Sequence, residues 1–143
     1  MTRARRTLAA GFSLIDTIVA IVVLALVVPG TVVAISDASV QRASTIAFSR
    51  ARWLATEKME DVIADRASAT RGYTYIAGSN YTAETSLAGF PGFTRSVAIT
   101  ETNASLTTSG TGYKTVVVSV AWVDPRRGAT TLAMSTVLTD YTP

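Results

Sequence analysis

Residues 12–35 read FSLIDTIVAIVVLALVVPGTVVAI and decide how this chain of 143 residues is organised. Of these 24 residues, 18 are hydrophobic, and Asp16 is the only charged one. A helix of this length spans about 36 Å, enough to cross a hydrocarbon layer of about 30 Å. Pro29 and Gly30 should kink or weaken the helix near its far end, which membrane helices tolerate. The sequence therefore predicts one membrane-spanning helix near the N-terminus.

The charges around this segment predict its orientation. Arg3, Arg5 and Arg6 precede it, and no acidic residue does. By the positive-inside rule the N-terminus should lie in the cytoplasm and the rest of the chain outside the inner membrane. From residue 12 onward the chain has 10 basic and 10 acidic residues. We expect no nucleic acid among its partners, because phosphate backbones bind clustered, surplus cations.

The composition excludes much of enzyme chemistry. The chain has no Cys and no His, which rules out thiol nucleophiles, disulfides, Cys/His zinc sites and imidazole bases. Glu57, Glu60 and Asp61 could be interpreted as paired catalytic carboxylates, but the basic residues near them indicate a solvated helix surface. We therefore expect a protein that is not an enzyme, with no catalytic residue, no metal site and no cofactor.

The region after the apolar segment has the pattern of an amphipathic helix. Residues 31–70 contain no Gly or Pro, and 10 of the 30 residues from 37 to 66 are charged. An apolar stripe at steps of three and four residues predicts the face that packs on the rest of the domain. The stripe consists of Phe48, Ala51, Ala55, Met59 and Val62, and Trp53, Leu54 and Ile63 flank or widen it. The helix should end near residue 68.

The remainder of the chain has the composition of strands and turns. Seven of the nine glycines and 16 threonines lie in residues 68–143. Alternating apolar residues predict strands near 93–100, 116–122 and 132–138, and the turn sequence at 124–128 predicts a hairpin. A fourth strand and a tyrosine-containing loop should complete a small antiparallel sheet. The predicted fold class is α+β, a long N-terminal helix packed on this sheet.

Residues 5–16, RRTLAAGFSLID, resemble the class III signal of type IV pilins and type II secretion pseudopilins. In that family a basic leader ends in Gly, Phe usually follows, and the fifth residue of the mature chain is usually Glu. Gly11, Phe12 and Asp16 occupy these positions, with Asp in place of Glu. An ordinary secretory signal is cut after its apolar region. In this family the cut precedes that region and leaves the helix attached.

The resemblance implies a pilin-like protein with three parts. Residues 1–11 would be the prepilin leader, 12–36 the transmembrane and filament-core helix, and 37–143 the periplasmic globular domain, helical to about residue 68. Prepilin peptidase would cleave between Gly11 and Phe12 and methylate the new amine.

The resemblance also implies partners. They are other pilin or pseudopilin subunits, an assembly platform protein with its ATPase, and the inner membrane. Asp16 would set the register of assembly by pairing with the amine of Phe12 on the adjacent subunit.

Three further segments are similar to the pseudopilin I and minor pilin V group, which implies a minor subunit at a filament tip. They are ARWLATEKMED at 51–61, PGFTRSV at 91–97 and KTVVVSVAW at 114–122. The similarity does not separate a type II secretion pseudopilus from a type IV pilus. Two other interpretations stay open, a membrane-anchored binding module and a secreted β-rich domain released by cleavage near residues 34–36. Both leave Asp16 without a function, although an acid within a membrane span is usually functional.

Overall fold

The computed structural model describes residues 13–141 and has the predicted α+β layout. Helix α1 (Leu14–Ala67) is followed by the short helix α2 (Gly72–Tyr75) and a 3-10 turn (Gly78–Asn80). Three strands complete the domain, β1 (Phe93–Thr102), β2 (Tyr113–Asp124) and β3 (Gly128–Thr139). The end of α1 at Ala67 confirms the boundary that the sequence predicts near residue 68.

The chain divides into two compact units at residues 39 and 40. The described part of the first unit is helical from Leu14 onward. Its Val, Ile and Leu side chains are all between 52% and 77% exposed. This part of α1 is long and apolar enough to cross a membrane. The helix continues through Pro29, whose missing N–H leaves the Ala25 carbonyl without its usual donor.

The second unit holds the hydrophobic core, which lies between α1 and one face of the sheet. β2 is the central strand, and its alternate side chains at Val116, Val118 and Val120 are fully buried. The core residues are Ala51, Leu54, Ala55, Met59, Val62, Ile76, Tyr81, Phe93, Val116, Val118, Val120 and Trp122. The inward face of β2 is therefore the face that the alternation predicts.

The predicted hairpin between β2 and β3 is confirmed. The strands pair antiparallel from Tyr113 opposite Thr139 to Asp124 opposite Gly128. Asp124 accepts hydrogen bonds from the backbone N–H groups of Arg126 and Arg127, both at 2.9 Å. Gly128 has a φ of 75°, a left-handed conformation that favours glycine.

Two details of the sequence-based fold are wrong. Phe48 belongs to the predicted buried stripe but is 49% exposed, because the fully buried part of the stripe begins one turn later, at Ala51. Its ring makes a T-shaped contact with Trp122, with ring centres 6.4 Å apart. Leu54, which flanks or widens the predicted stripe, is 2% exposed and widens the buried face of α1. The described residues also form three strands, without the expected fourth. The segment at 72–92 contains four glycines and Pro91, which favour turns over a continuous strand.

Candidate functional site: the start of α1 and the Arg95 cluster

Asp16 lies in the first turn of α1. The backbone N–H of Ser13 donates to Asp16 Oδ2 at 3.3 Å, and the Asp16 N–H donates to the Ser13 carbonyl at 3.0 Å. A side chain at this position stabilises a helix start by accepting an otherwise unpaired N–H, as in one half of a capping box. Its negative charge also favours the positive end of the helix dipole. Asp16 therefore has a local structural function in addition to any function in assembly.

This capping function of Asp16 is not among the predictions from the sequence. The signal was present, because Ser-x-x-Asp at residues 13–16 is a capping-box spacing just before an apolar run. The other two predicted site residues, Gly11 and Phe12, lie outside the described residues. The cleavage site, the methylated amine and its pairing with Asp16 therefore stay predictions.

The apolar surface of α1 from residue 14 to residue 35 is the largest chemical feature of the first unit. Soluble monomers rarely leave a continuous apolar surface of this size in contact with water. Within the described residues, none of the most apolar 18-residue window of α1 is buried. Such a surface can be covered by lipid or by other apolar helices.

A buried arginine is the main polar feature of the second unit. Arg95 is 8% exposed, and its guanidinium donates to the Leu54 carbonyl at 2.8 Å. It also binds Glu57 Oε2 at 2.9 Å and Glu84 Oε2 at 2.6 Å. Lys58 Nζ lies 2.7 Å from Glu84 Oε1. We call Arg95, Glu57, Glu84 and Lys58 the Arg95 cluster.

The electrostatics of the Arg95 cluster favour a structural function. Burial raises the pKa of Glu84, but hydrogen bonds from Lys58 and Arg95 outweigh burial, so the pKa is lowered overall. A carboxylate with a lowered pKa stays ionised and is a weak general base near neutral pH. Glu57 lies on the exposed surface of α1, as the sequence predicts, and there it also forms an ion pair with the buried Arg95.

Tyr73, Tyr75 and Tyr81 lie in the tyrosine-containing segment that the sequence predicts, and two of them bind charged residues. Lys114 Nζ lies 4.2 Å from the ring centre of Tyr73 and donates to its carbonyl at 3.0 Å. Burial raises the pKa of Tyr73 to about 12, and the nearby Glu101 carboxylate adds to the shift. The hydroxyl of Tyr81 donates to Asp65 Oδ2 at 2.9 Å. Both rings thus join the loop to charged residues of the domain.

The acidic side chains do not form a metal centre in residues 13–141, where no group of three or more could hold an ion. Asp124 is 3% exposed, and Ser44 donates to its Oδ2 at 2.7 Å. Its other oxygen accepts the two N–H groups of the hairpin turn. The Ser44 hydrogen bond is the main cause that lowers the pKa of Asp124. Asp124 therefore fixes the hairpin against α1.

One apolar groove lies open on the second unit. Trp53 is 55% exposed and stacks on Phe90 with ring centres 5.4 Å apart. Ile46 and Arg50 complete the groove with neighbouring hydroxyl residues. Trp53 flanks or widens the predicted stripe, and the sequence pattern does not predict this groove. The groove could accept an apolar side chain.

No protein-family model matches this chain, and no curated protein or solved structure matches it.

Proposed function

We propose that the chain is a structural subunit, a minor pseudopilin or minor pilin, of a type II secretion pseudopilus or a type IV pilus. The single observation that carries the proposal is the exposed apolar start of α1, directly preceded by the leader sequence RRTLAAG. A carboxylate lies in the first turn of the same helix. A cleaved signal would have no need for a helix that continues into the folded domain.

In this proposal the leader stays in the cytoplasm and α1 anchors the protein in the inner membrane. Prepilin peptidase removes residues 1–11 and methylates Phe12. The platform protein and its ATPase then move the subunit from the membrane into a filament or onto its tip. The apolar surface of α1 exchanges lipid for the apolar helices of neighbouring subunits, so little free energy separates the two states.

Asp16 has two functions in this proposal. It caps α1, as its hydrogen bond with Ser13 indicates. It also attracts the amine of Phe12 on the adjacent subunit, since an ionised carboxylate in a low dielectric is costly without a cation. Desolvation offsets much of this attraction, so the ion pair would set the axial register more than it would add stability.

Mass spectrometry of the protein from its native host tests the proposal. We expect Phe12 as the first residue, with a mass increase equal to one methyl group. Gly11→Val should leave uncut precursor in the membrane, because the peptidase must approach the backbone closely at this residue. Ala10→Val is the matched control, since it adds similar bulk one residue earlier and should be cleaved.

Two results would contradict the proposal. An N-terminus near residue 37 would indicate an ordinary signal peptide and a secreted domain. An intact Met1 in the mature protein would indicate a permanent single-pass anchor, which fits a membrane-anchored binding module.

A further inference from the structure

The two edges of the sheet differ in how they are protected. At the outer edge of β1, Arg95 and Glu84 exchange both backbone hydrogen bonds, at 2.9 and 2.8 Å. β1 also carries two charged residues, Arg95 and Glu101. The other edge is β3, which reads GATTLAMSTVLT and has no charged residue and no proline. Its pairing with β2 continues without a bulge over all 12 residues.

The hydrogen bonds at the end of β3 indicate which backbone groups point outward. Asp140 N–H donates to the Gly112 carbonyl at 3.1 Å, so the backbone of Asp140 faces β2. The direction of the backbone N–H and C=O groups alternates along a strand. In the odd-numbered residues of β3 these groups therefore point away from β2. Arg66 agrees with this assignment, since its Nε donates to the Thr139 carbonyl at 2.9 Å.

The open part of the edge therefore spans residues 129–137. Its outward N–H and C=O groups belong to Ala129, Thr131, Ala133, Ser135 and Val137. No hydrogen bond from the residues that the structure describes reaches these groups. Natural proteins usually protect such an edge with charge, proline, a bulge or a covering segment. β3 has none of these over this stretch.

We propose that the β3 edge binds an extended segment of a different polypeptide, which adds a fourth strand to the sheet. In this mode of recognition, backbone hydrogen bonds supply affinity and alternate side chains supply specificity. The core-facing side chains at the edge are Leu132, Met134 and Leu138, which are only partly buried. A partner strand with apolar residues at alternate positions would cover them.

Charged residues near the two ends of β3 predict the charges at the ends of the partner segment. Arg126 and Arg127 are exposed in the turn before β3, and neither forms an ion pair with the described residues. Asp140 is exposed just after the strand. The partner segment should therefore be uncharged opposite 129–137, acidic at the end near the two arginines and basic at the end near Asp140.

The direction of β3 disfavours a second copy of this chain as the partner. Ser44 contacts Asp124 at the hairpin, while Arg66 contacts Thr139 at the far end, so this stretch of α1 and β3 run the same way. Antiparallel pairing of two β3 strands would reverse one α1 against the other. Subunits of the proposed filament all point the same way, and this step alone rests on the proposed function.

Hydrogen exchange on the full chain in detergent micelles tests the inference. The probe is a capped peptide as long as residues 129–137, of alternating valine and threonine, with aspartate at one end and lysine at the other. We expect it to slow exchange of the five outward N–H groups about tenfold or more, because they become paired. The N–H groups of the even-numbered residues already bond to β2 and should change little.

Two controls separate strand addition from general adhesion. Two versions of the same peptide carry N-methyl groups at alternate residues, one at the odd and one at the even positions. Each version keeps its side chains but loses the backbone donors of one edge. Only the version methylated on the edge that pairs with β3 should fail to protect. Ala133→Pro removes one outward N–H without removing a bond to β2, so it should weaken binding about tenfold. The peptide control leaves the protein unchanged, so it remains decisive if the variant does not fold.

Three outcomes would overturn the inference. The first is no protection at millimolar peptide. The second is equal protection by both N-methylated peptides. The third is slow, concentration-dependent exchange of the same five N–H groups without peptide, which would place a second copy on the edge. None of these results bears on cleavage after Gly11, so the proposed function and this inference fail separately.

Discussion

Arg95 holds Glu84 in two ways, through a pair of backbone hydrogen bonds and through its guanidinium. The backbone contacts measure 2.9 and 2.8 Å, and Nη2 lies 2.6 Å from Oε2 of Glu84. Lys58 of α1 binds the other oxygen of the same carboxylate. The segment before β1 is thus fixed to both the sheet and the helix by one acidic residue.

Removal of the Arg95 side chain should destabilise the domain. Arg95→Leu leaves Glu57 and Glu84 without their common partner, and these carboxylates are 45% and 28% exposed. Water can partly solvate them, so we expect a loss of about 2 kcal/mol rather than the larger cost of a fully buried pair. Urea unfolding of the chain in micelles measures it. Arg52→Leu, an exposed site on α1, is the control, and an equal effect of the two substitutions would contradict a structural function of Arg95.

The Arg95 cluster should also make stability depend on acid. The pKa of Glu84 is lower in the folded state than its ordinary value of 4.5. Its contribution is therefore present above about pH 4.5 and is lost as pH falls through the lower folded value. Glu84→Gln should reduce the dependence of the unfolding free energy on pH in this range. Glu60→Gln, on the exposed side of α1, is the control substitution, and an equal effect of the two would contradict the assignment to Glu84.

The two tryptophans should differ in their effect on stability. Trp122 is 5% exposed and stacks on Phe93 with ring centres 6.0 Å apart. Trp122→Ala should cost about 3–5 kcal/mol, because it opens a cavity beside β2. Trp53→Ala should cost about 1 kcal/mol, since that ring is half exposed. Thermal unfolding compares the two, and a neutral Trp122→Ala would show that this face of β2 is not the core.

Three substitutions at Asp16 separate capping from charge. Asp16→Ala should be inserted and cleaved but assemble poorly, whereas Asp16→Glu should assemble. Asp16→Asn keeps an oxygen that can accept the Ser13 N–H and loses the charge. We expect it to assemble as poorly as the Ala variant in filament pull-down from the native host. Normal assembly of Asp16→Asn would show that the cap alone is required.

Local patterns in the sequence predicted the parts of the fold that depend on neighbouring residues. The alternating valines of β2 and the turn sequence after Asp124 are such patterns, and both predictions are confirmed. The helical stripe was correct at four of its five residues. It failed at Phe48 because periodicity describes the face of a helix and not how many of its turns are buried in the core.

The Arg95 cluster could not be predicted in this way. A single arginine between threonine and serine on a strand is typical of a solvent-facing residue. Its two carboxylate partners lie 38 and 11 residues away in the chain, and only the fold brings them together. The absence of a fourth strand from the described residues could not be predicted in this way either. The outer edge of β1 pairs with Glu84 through an isolated bridge, and such a bridge has no strand pattern in the sequence.

The buried core residues lie within residues 51–122, so the two halves of α1 should respond differently in mutational screens. Substitutions between residues 14 and 39 remove no core contact, so a thermal or proteolytic screen should score nearly all of them as neutral. Selection for membrane retention or secretion should instead detect changes in that half of α1. One uninterrupted helix should therefore give two classes of variant with almost no overlap, divided near residue 40.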